Sequence, residues 1–169
     1  MTPSGTVTPL HTFEPAQVAG SSGAVIQGKN GNFYGTDIGG GNGAGTIYEI
    51  TPAGEVNVLY TFCSLTDCKD GSTPYGAMLI GSDGNFYGTT YAGGANTTDC
   101  NGGCGTLFQI TPAGKLTTLY NFCSKANCAD GNWPEGGLLQ DTNGTFYGTT
   151  YSGGTNGLGT IYSLSLIHI

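Results

Sequence analysis

The chain of 169 residues holds 32 glycines, only 9% charged residues and a net charge of −7, with four Lys and Arg in all. Ordinary domains carry about 25% charged residues and about 7% Gly. So few cations cannot make the basic footprint that nucleic acid or an anionic membrane requires, and no apolar run approaches the roughly 18 residues of a membrane-spanning helix.

The glycines belong to a sentence written three times. Gly31-Asn32-Phe33-Tyr34-Gly35-Thr36 returns as Gly84-Asn85-Phe86-Tyr87-Gly88-Thr89 and as Gly144-Thr145-Phe146-Tyr147-Gly148-Thr149. A second phrase, Gly45-Thr46-Ile47-Tyr48-Glu49-Ile50-Thr51-Pro52-Ala53-Gly54, returns as Gly105-Thr106-Leu107-Phe108-Gln109-Ile110-Thr111-Pro112-Ala113-Gly114. It starts again at Gly159-Thr160-Ile161-Tyr162. A third, Val58-Leu59-Tyr60-Thr61-Phe62, returns as Thr118-Leu119-Tyr120-Asn121-Phe122, with Pro9-Leu10-His11-Thr12-Phe13 as a looser copy. Self-similarity at a period of tens of residues marks a propeller, solenoid or array, whose units need neighbours to bury their faces.

In chain order, residues 2–7 align with 51–56 and 111–116, which puts Met1 inside a repeat and predicts that the chain is part of a longer array. The copy at 77–122 shows the unit most fully. Residues 77–80 form a short apolar strand. Ser82-Asp83-Gly84-Asn85 is a turn in which Asp-Gly supplies positive φ. An aromatic and Thr-rich second strand covers 86–91. A Gly and Asn loop over 92–105 leads to a third strand at 106–110. Pro112-Ala113-Gly114 turns tightly into a fourth strand at 116–122, and the loop 123–136 reaches the next copy. Four short antiparallel strands in roughly 50 to 60 residues are the content of one β-propeller blade. The expected fold is therefore all-β, a β-propeller-like array of about three four-stranded antiparallel blades. A β-solenoid is the weaker alternative, since a four-strand period is long for one. Gly35, Gly88 and Gly148, with Thr36, Thr89 and Thr149, predict a crowded inner strand that another backbone approaches closely. The recurring Tyr and Phe positions read as core.

The domain reading is a single repeat domain, 1–163, with repeats at 2–50, 51–110 and 111–163. Residues 164–169 leave the repeat and resemble a translated sequencing adaptor. They read as a non-native tail, with a terminal apolar strand as the alternative.

Six cysteines fall in three local pairs, Cys63 and Cys68, Cys100 and Cys104, Cys123 and Cys128. Each pair is present or absent as a unit: loops 39–42 and 153–156 lack the second pair, and the region after Phe13 lacks the others. Two cysteines that enter together on one insertion read as a disulfide closing it, and three such bridges imply an oxidising compartment. Zinc is the rival, because C-x₂₋₄-C spacings overlap these. A four-cysteine site would require two pairs from different repeats brought together. Free thiols are the remaining alternative.

Chemistry is scarce. Asp67, Asp70, Asp99 and Asp130 sit in loops, and Asp83 and Asp141 in turns. Nothing pairs them as glycosidase acids would be paired around a channel mouth, and no calcium loop of the D-x-[DN]-x-[DN]-G kind is present. No Ser nucleophile motif, phosphate loop or metal-spaced His stands out. His11 occupies a position held by Tyr60 and Tyr120, which reads as packing, and His168 lies in the tail segment. Trp133 and Tyr75, in the long loops between copies, are the weak binding candidates. Trp133 also has a bland reading, as a cap on the blade edge.

With these phrases in hand, the chain resembles the bacterial GloVer tandem repeats of choice-of-anchor surface proteins. Their unit reads like D-G-N-F-Y-G-T-T-x-x-G-G, then G-T-x-F-x-I-T-P-x-G, then a Leu-Tyr-x-Phe strand. Residues 81–94 and 105–122 carry the match. The resemblance implies an extracellular or cell-surface repeat protein with no established catalytic activity, and so no catalytic residues to transfer. The expected function is a non-catalytic binding or structural module, without cofactor or metal. Its partners would be an unknown extracellular protein or glycan and further blades of the same parent chain. Part of a carbohydrate-binding or glycoside-hydrolysing propeller is the alternative. That alternative predicts non-repeated acids or His on the inner strands, where the repeat has Thr or Gly, and those positions read as faithfully repeated.

Overall fold

Strands arise where aromatic and β-branched residues alternate with small ones between Gly, Pro and Asp turns. The computed structural model describes residues 4–13 and 20–166. The first sheet holds β1 (Ser21–Gln27), β2 (Phe33–Asp37), β3 (Thr46–Ile50) and β4 (Val56–Thr61). The second holds β5 (Leu79–Ile80), β6 (Phe86–Thr90), β7 (Thr106–Ile110) and β8 (Leu116–Asn121). The third holds β9 (Leu139–Gln140), β10 (Phe146–Thr149) and β11 (Ile161–Leu164). Each sheet pairs its strands in sequence order, and every ladder is antiparallel. Among the described residues the only helical segments are short 3₁₀ turns, Thr66–Cys68 and Ala126–Cys128. The architecture is a propeller-like array of antiparallel blades.

Even irregularities repeat. The register of β3 on β4 slips between Ile47 and Tyr48, and that of β7 on β8 between Leu107 and Phe108, so the first two blades bend at the same residue. The first strands converge between blades: a Cβ on Gly76 would lie 2.6 Å from the Gly136 carbonyl oxygen, and one on Gly23 2.9 Å from the Ala77 amide nitrogen. That edge is the narrow inner side of the array. Thr36 and Thr89 hold it, donating to the Gly76 and Gly136 carbonyls of the next blade at 3.4 and 3.5 Å.

The glycine in each Phe-Tyr-Gly-Thr phrase has a different cause from the one expected. What lies nearest is a side chain. A Cβ on Gly88 would lie 2.6 Å from Cζ of Phe108, and Gly35 and Gly148 are covered in the same way by Tyr48 and Tyr162. An aromatic ring from the third strand lies against the second strand, and only Gly leaves room.

The core forms between blades. One buried cluster, with Tyr34, Ile47, Phe62, Met78, Phe86, Phe108 and Ile110, joins blades 1 and 2. The Tyr34–Phe86 ring pair recurs as Tyr87–Phe146, with centroids 4.3 and 4.4 Å apart. Phe62 meets Phe108 edge-on at 5.3 Å, and Phe122 meets Tyr162 at 4.9 Å. Phe13 meets Tyr48 at 5.2 Å, so the end of segment 4–13 meets blade 1 as Phe62 meets Phe108 of the blade that follows it. Leu164, the first residue of the segment read as a tail, pairs with Phe146. Residues 167–169, including His168, lie outside the described residues, as does Met1.

Candidate functional site

The loops between blades turn a corner at Thr73 and Trp133, both at φ 57°. The left-handed region costs a residue with a Cβ about 1–2 kcal/mol. Gly20 occupies the equivalent corner of blade 1. The corners hold because both backbone groups are bonded. Thr73 donates to Ala44 at 2.7 Å and accepts from Tyr91 at 2.9 Å, while Trp133 donates to Cys104 at 2.9 Å and accepts from Tyr151 at 3.0 Å. A bulky side chain kept in such backbone is a pointer to a role.

The Trp133 corner sets an aromatic row. The indole N–H donates to the Gly103 carbonyl at 3.3 Å. Its ring stacks on Tyr91, with centroids 5.7 Å apart and planes 20° apart. Tyr91 in turn meets Tyr75 edge-on at 5.7 Å. Tyr75 is 41% exposed, and Tyr151, the counterpart of Tyr91 one blade on, is 65% exposed. Burial, then the nearby Glu135 carboxylate and the Tyr151 and Tyr75 hydroxyls, push the Tyr91 hydroxyl above its ordinary value. Both sequence candidates thus join one surface. Tyr91 and Tyr151 were missed because the second strand was read as running through Tyr91 and its recurring Tyr and Phe positions as core, whereas the strand ends at Thr90. Their signal was position, one and two residues past the ends of β6 and β10, where the chain leaves the blade.

The carboxylates are committed elsewhere. Asp70 accepts from the Tyr60 hydroxyl at 2.7 Å and from the amides of Ser64 and Leu65 at 2.9 and 3.2 Å. Asp130 repeats the clamp with Tyr120, Ser124 and Lys125 at 2.6, 2.9 and 3.1 Å. Burial works to raise the Asp130 carboxyl, yet these donors outweigh it and hold it below its ordinary value. Asp83 closes its turn with Asn85 and Tyr87, and Asp141 with Asn143 and Thr145. Asp99 lies with its carboxylate 3.7 Å from Sγ of Cys123, and Asp67 sits in the exposed 3₁₀ turn.

One reading of the strands needs correction. Asp37 stands where Thr90 and Thr150 stand, so the acid positions of the second strand are not faithfully repeated. Asp37 is fully buried. Its carboxylate accepts from Gly39 and Gly40 at 2.9 and 2.6 Å and from the Thr46 hydroxyl. In blade 2 the amide of Ala92, counterpart of Gly39, bonds the Ser72 carbonyl instead. Asp37 is a structural acceptor for a glycine loop.

His11 packs edge-on against Phe13 at 5.2 Å, as Tyr60 does against Phe62 at 5.4 Å. The cysteines are joined as Cys63–Cys68, Cys100–Cys104 and Cys123–Cys128. The last two bridges come together, with all four sulfurs within 4.8 Å of one another. The condition set for a four-cysteine site is met.

No curated protein matches this chain. A solved structure provisionally named a gluconolactonase is similar at 15% identity and a TM-score of 0.45, over 84% of this chain and 47% of that one. The chain thus spans about half the length of that structure. The family model described as the Gloeobacter/Verrucomicrobia repeat matches residues 1–168, and the chain belongs to that family.

Proposed function

We propose that the chain is a non-catalytic binding module of an extracellular repeat protein, and that the row Tyr75–Tyr91–Trp133 with Tyr151 is its contact surface. The observation that carries this reading is Trp133, held in left-handed backbone at a loop corner with its indole N–H pinned to Gly103. Rigid aromatics on loops give contact area at low entropic cost. The ligand class that suits them is a neutral glycan, whose apolar C–H faces pack on rings while its hydroxyls meet Glu135 and the Tyr hydroxyls. Three disulfides agree with an oxidising compartment. Most glycosidases use two facing carboxylates, and Asp37, Asp70, Asp83 and Asp130 are each engaged by local donors. Further copies of the repeat are the natural cover for the outer face of blade 3, where Ile161 is 84% exposed.

The test is a glycan-array screen followed by calorimetry. Trp133→Ala weakens binding of any retained glycan by at least about 2 kcal/mol, as a hot-spot residue should. Tyr75→Ala weakens it less, and Ile161→Ala leaves it unchanged. Full binding by a Trp133→Ala, Tyr75→Ala double variant refutes the site, and turnover of a glycan refutes the non-catalytic reading.

A further inference from the structure

The β7–β8 register explains why two disulfides meet. Thr106 faces Asn121. Counting two residues outward along each strand sets Cys104 opposite Cys123, and the local bridges carry Cys100 and Cys128 with them. The same count in blade 1, from Thr46 facing Thr61, sets Ala44 opposite Cys63. Cys63 and Cys68 therefore share the spacing of Cys123 and Cys128 without a facing pair.

We propose that Cys100, Cys104, Cys123 and Cys128 form a tetrathiolate zinc site when the chain folds reduced, the same sulfurs closing two disulfides when it is oxidised. Tetrahedral zinc with Zn–S near 2.3 Å places its sulfurs about 3.8 Å apart. Sulfurs already within 4.8 Å of one another reach that arrangement by shifts of about an ångström. The C-x₃-C and C-x₄-C spacings fall in the range of structural zinc sites. The cage is closed, because the cysteines are 1%, 0%, 9% and 6% exposed in chain order. Leu107, Phe122, Trp133 and Leu138 surround it. Asn132, 6% exposed, directs its amide Nδ2 to Sγ of Cys100 at 3.3 Å, a donor of the kind that steadies a thiolate. Asp99, 3.7 Å from Sγ of Cys123, opposes the added negative charge.

The chemistry balances. Starting from the oxidised chain, two molecules of a small dithiol supply four electrons and four protons, both S–S bonds break, and the dithiols leave as cyclic disulfides. Zinc then displaces the four thiol protons to solvent. A chain folded in a reducing compartment needs only the second step.

The test uses the whole chain, reduced and freed of metal, titrated with Co²⁺ as a spectroscopic stand-in and then with Zn²⁺. The expected result is one Co²⁺ per chain with a tetrahedral thiolate spectrum, displaced by zinc. The oxidised chain takes up none. Cys63→Ser with Cys68→Ser leaves the stoichiometry intact, while Cys100→Ser with Cys104→Ser abolishes it. Asn132→Ala weakens binding about tenfold, as loss of an outer-shell donor does, and Asp99→Asn strengthens it. Because cysteine variants can misfold, sulfur coordination is also read on the unmutated reduced chain by X-ray absorption. Four sulfurs at about 2.3 Å support the site. Fewer than four, or undiminished uptake by the Cys100→Ser, Cys104→Ser chain, overturns it, as does a reduced chain that takes up no metal.

Discussion

Blade 2 and blade 3 carry almost the same words and meet solvent differently. Leu107 is 1% exposed and its counterpart Ile161 is 84% exposed; Tyr87 is 2% exposed and Tyr147 37%. The residues that face the preceding blade show no such gap, since Phe86 is 2% exposed and Phe146 is fully buried. Blades 2 and 3 each seal the face toward their predecessor, while the outer face of blade 3, whose sheet has three strands among the described residues, stands open. Burial in this fold is a property of neighbouring pairs, so stability adds along the array as a sum of interfaces.

The most direct way to break that account is to cut a core residue from each blade. Phe108 is fully buried between blades 1 and 2, and Phe108→Ala costs about 3–5 kcal/mol. Ile161→Ala, at the exposed counterpart of Leu107, stays within about 0.5 kcal/mol. Urea midpoints at constant slope read both. A large loss from Ile161→Ala means that something covers the open face in solution.

A finer cut adds one methyl to each Phe-Tyr-Gly-Thr phrase. Gly88→Ala drives its new Cβ toward Cζ of Phe108 at 2.6 Å and Cγ of Met78 at 3.3 Å, inside a sealed interface. Overpacking of this kind costs about 1–3 kcal/mol. Gly148→Ala meets the Tyr162 ring instead. That ring borders a groove of 480 Å³ beside β11, into which it can move. Its hydroxyl is buried without a hydrogen-bond partner among the described residues. The counterpart Tyr48 bonds Ser21 at 2.7 Å, and Pro134 stands where Ser21 does. Gly148→Ala therefore lowers the unfolding midpoint less than Gly88→Ala. Equal losses mean that the groove gives no relief.

The same contrast separates what was legible from what was not. Local chemistry was readable. The third strand falls at Thr106–Ile110 as the phrase predicts, and the second and fourth stop one residue short of the expected 91 and 122. The first strand was expected at 77–80 but pairs only over Leu79–Ile80. Before it, Gly76 is pressed against the neighbouring blade, a contact no single repeat displays. Trp133 and Tyr75 were readable as candidates from their loops. Their link through Tyr91 was not, because it crosses from one loop to the next. The meeting of Cys104 with Cys123 was available in principle from the hairpin register, yet pairing each cysteine with its nearest neighbour hides it. Asp37 was overlooked because the phrase was read only as far as its Thr, one residue short.

The smallest effect tests the sealed face through pH. The Tyr87 hydroxyl donates to Asp83 at 2.8 Å and accepts from Gln109 at 2.7 Å. Burial first, and then the bond to Asp83, push it up to about 12 from an ordinary 10.0. A raised value in the folded state means that its stabilisation is complete below pH 10.0 and is lost as pH climbs toward about 12. Asp83 has the opposite sign. Burial raises its carboxyl, but the Asn85 and Tyr87 bonds prevail and hold it below 3.8, so its contribution is lost as pH falls past that value. One hydrogen bond therefore feeds both edges of the stability profile. Tyr87→Phe should flatten the alkaline limb by the slope of one titrating group and soften the acid limb as well, in urea midpoints taken across pH. At neutral pH, Tyr147→Phe removes a 3.3 Å bond to Asp141 at a partly exposed position. It should lower the midpoint less than Tyr87→Phe does. If the two variants match at neutral pH, the outer face of blade 3 is as closed in solution as that of blade 2.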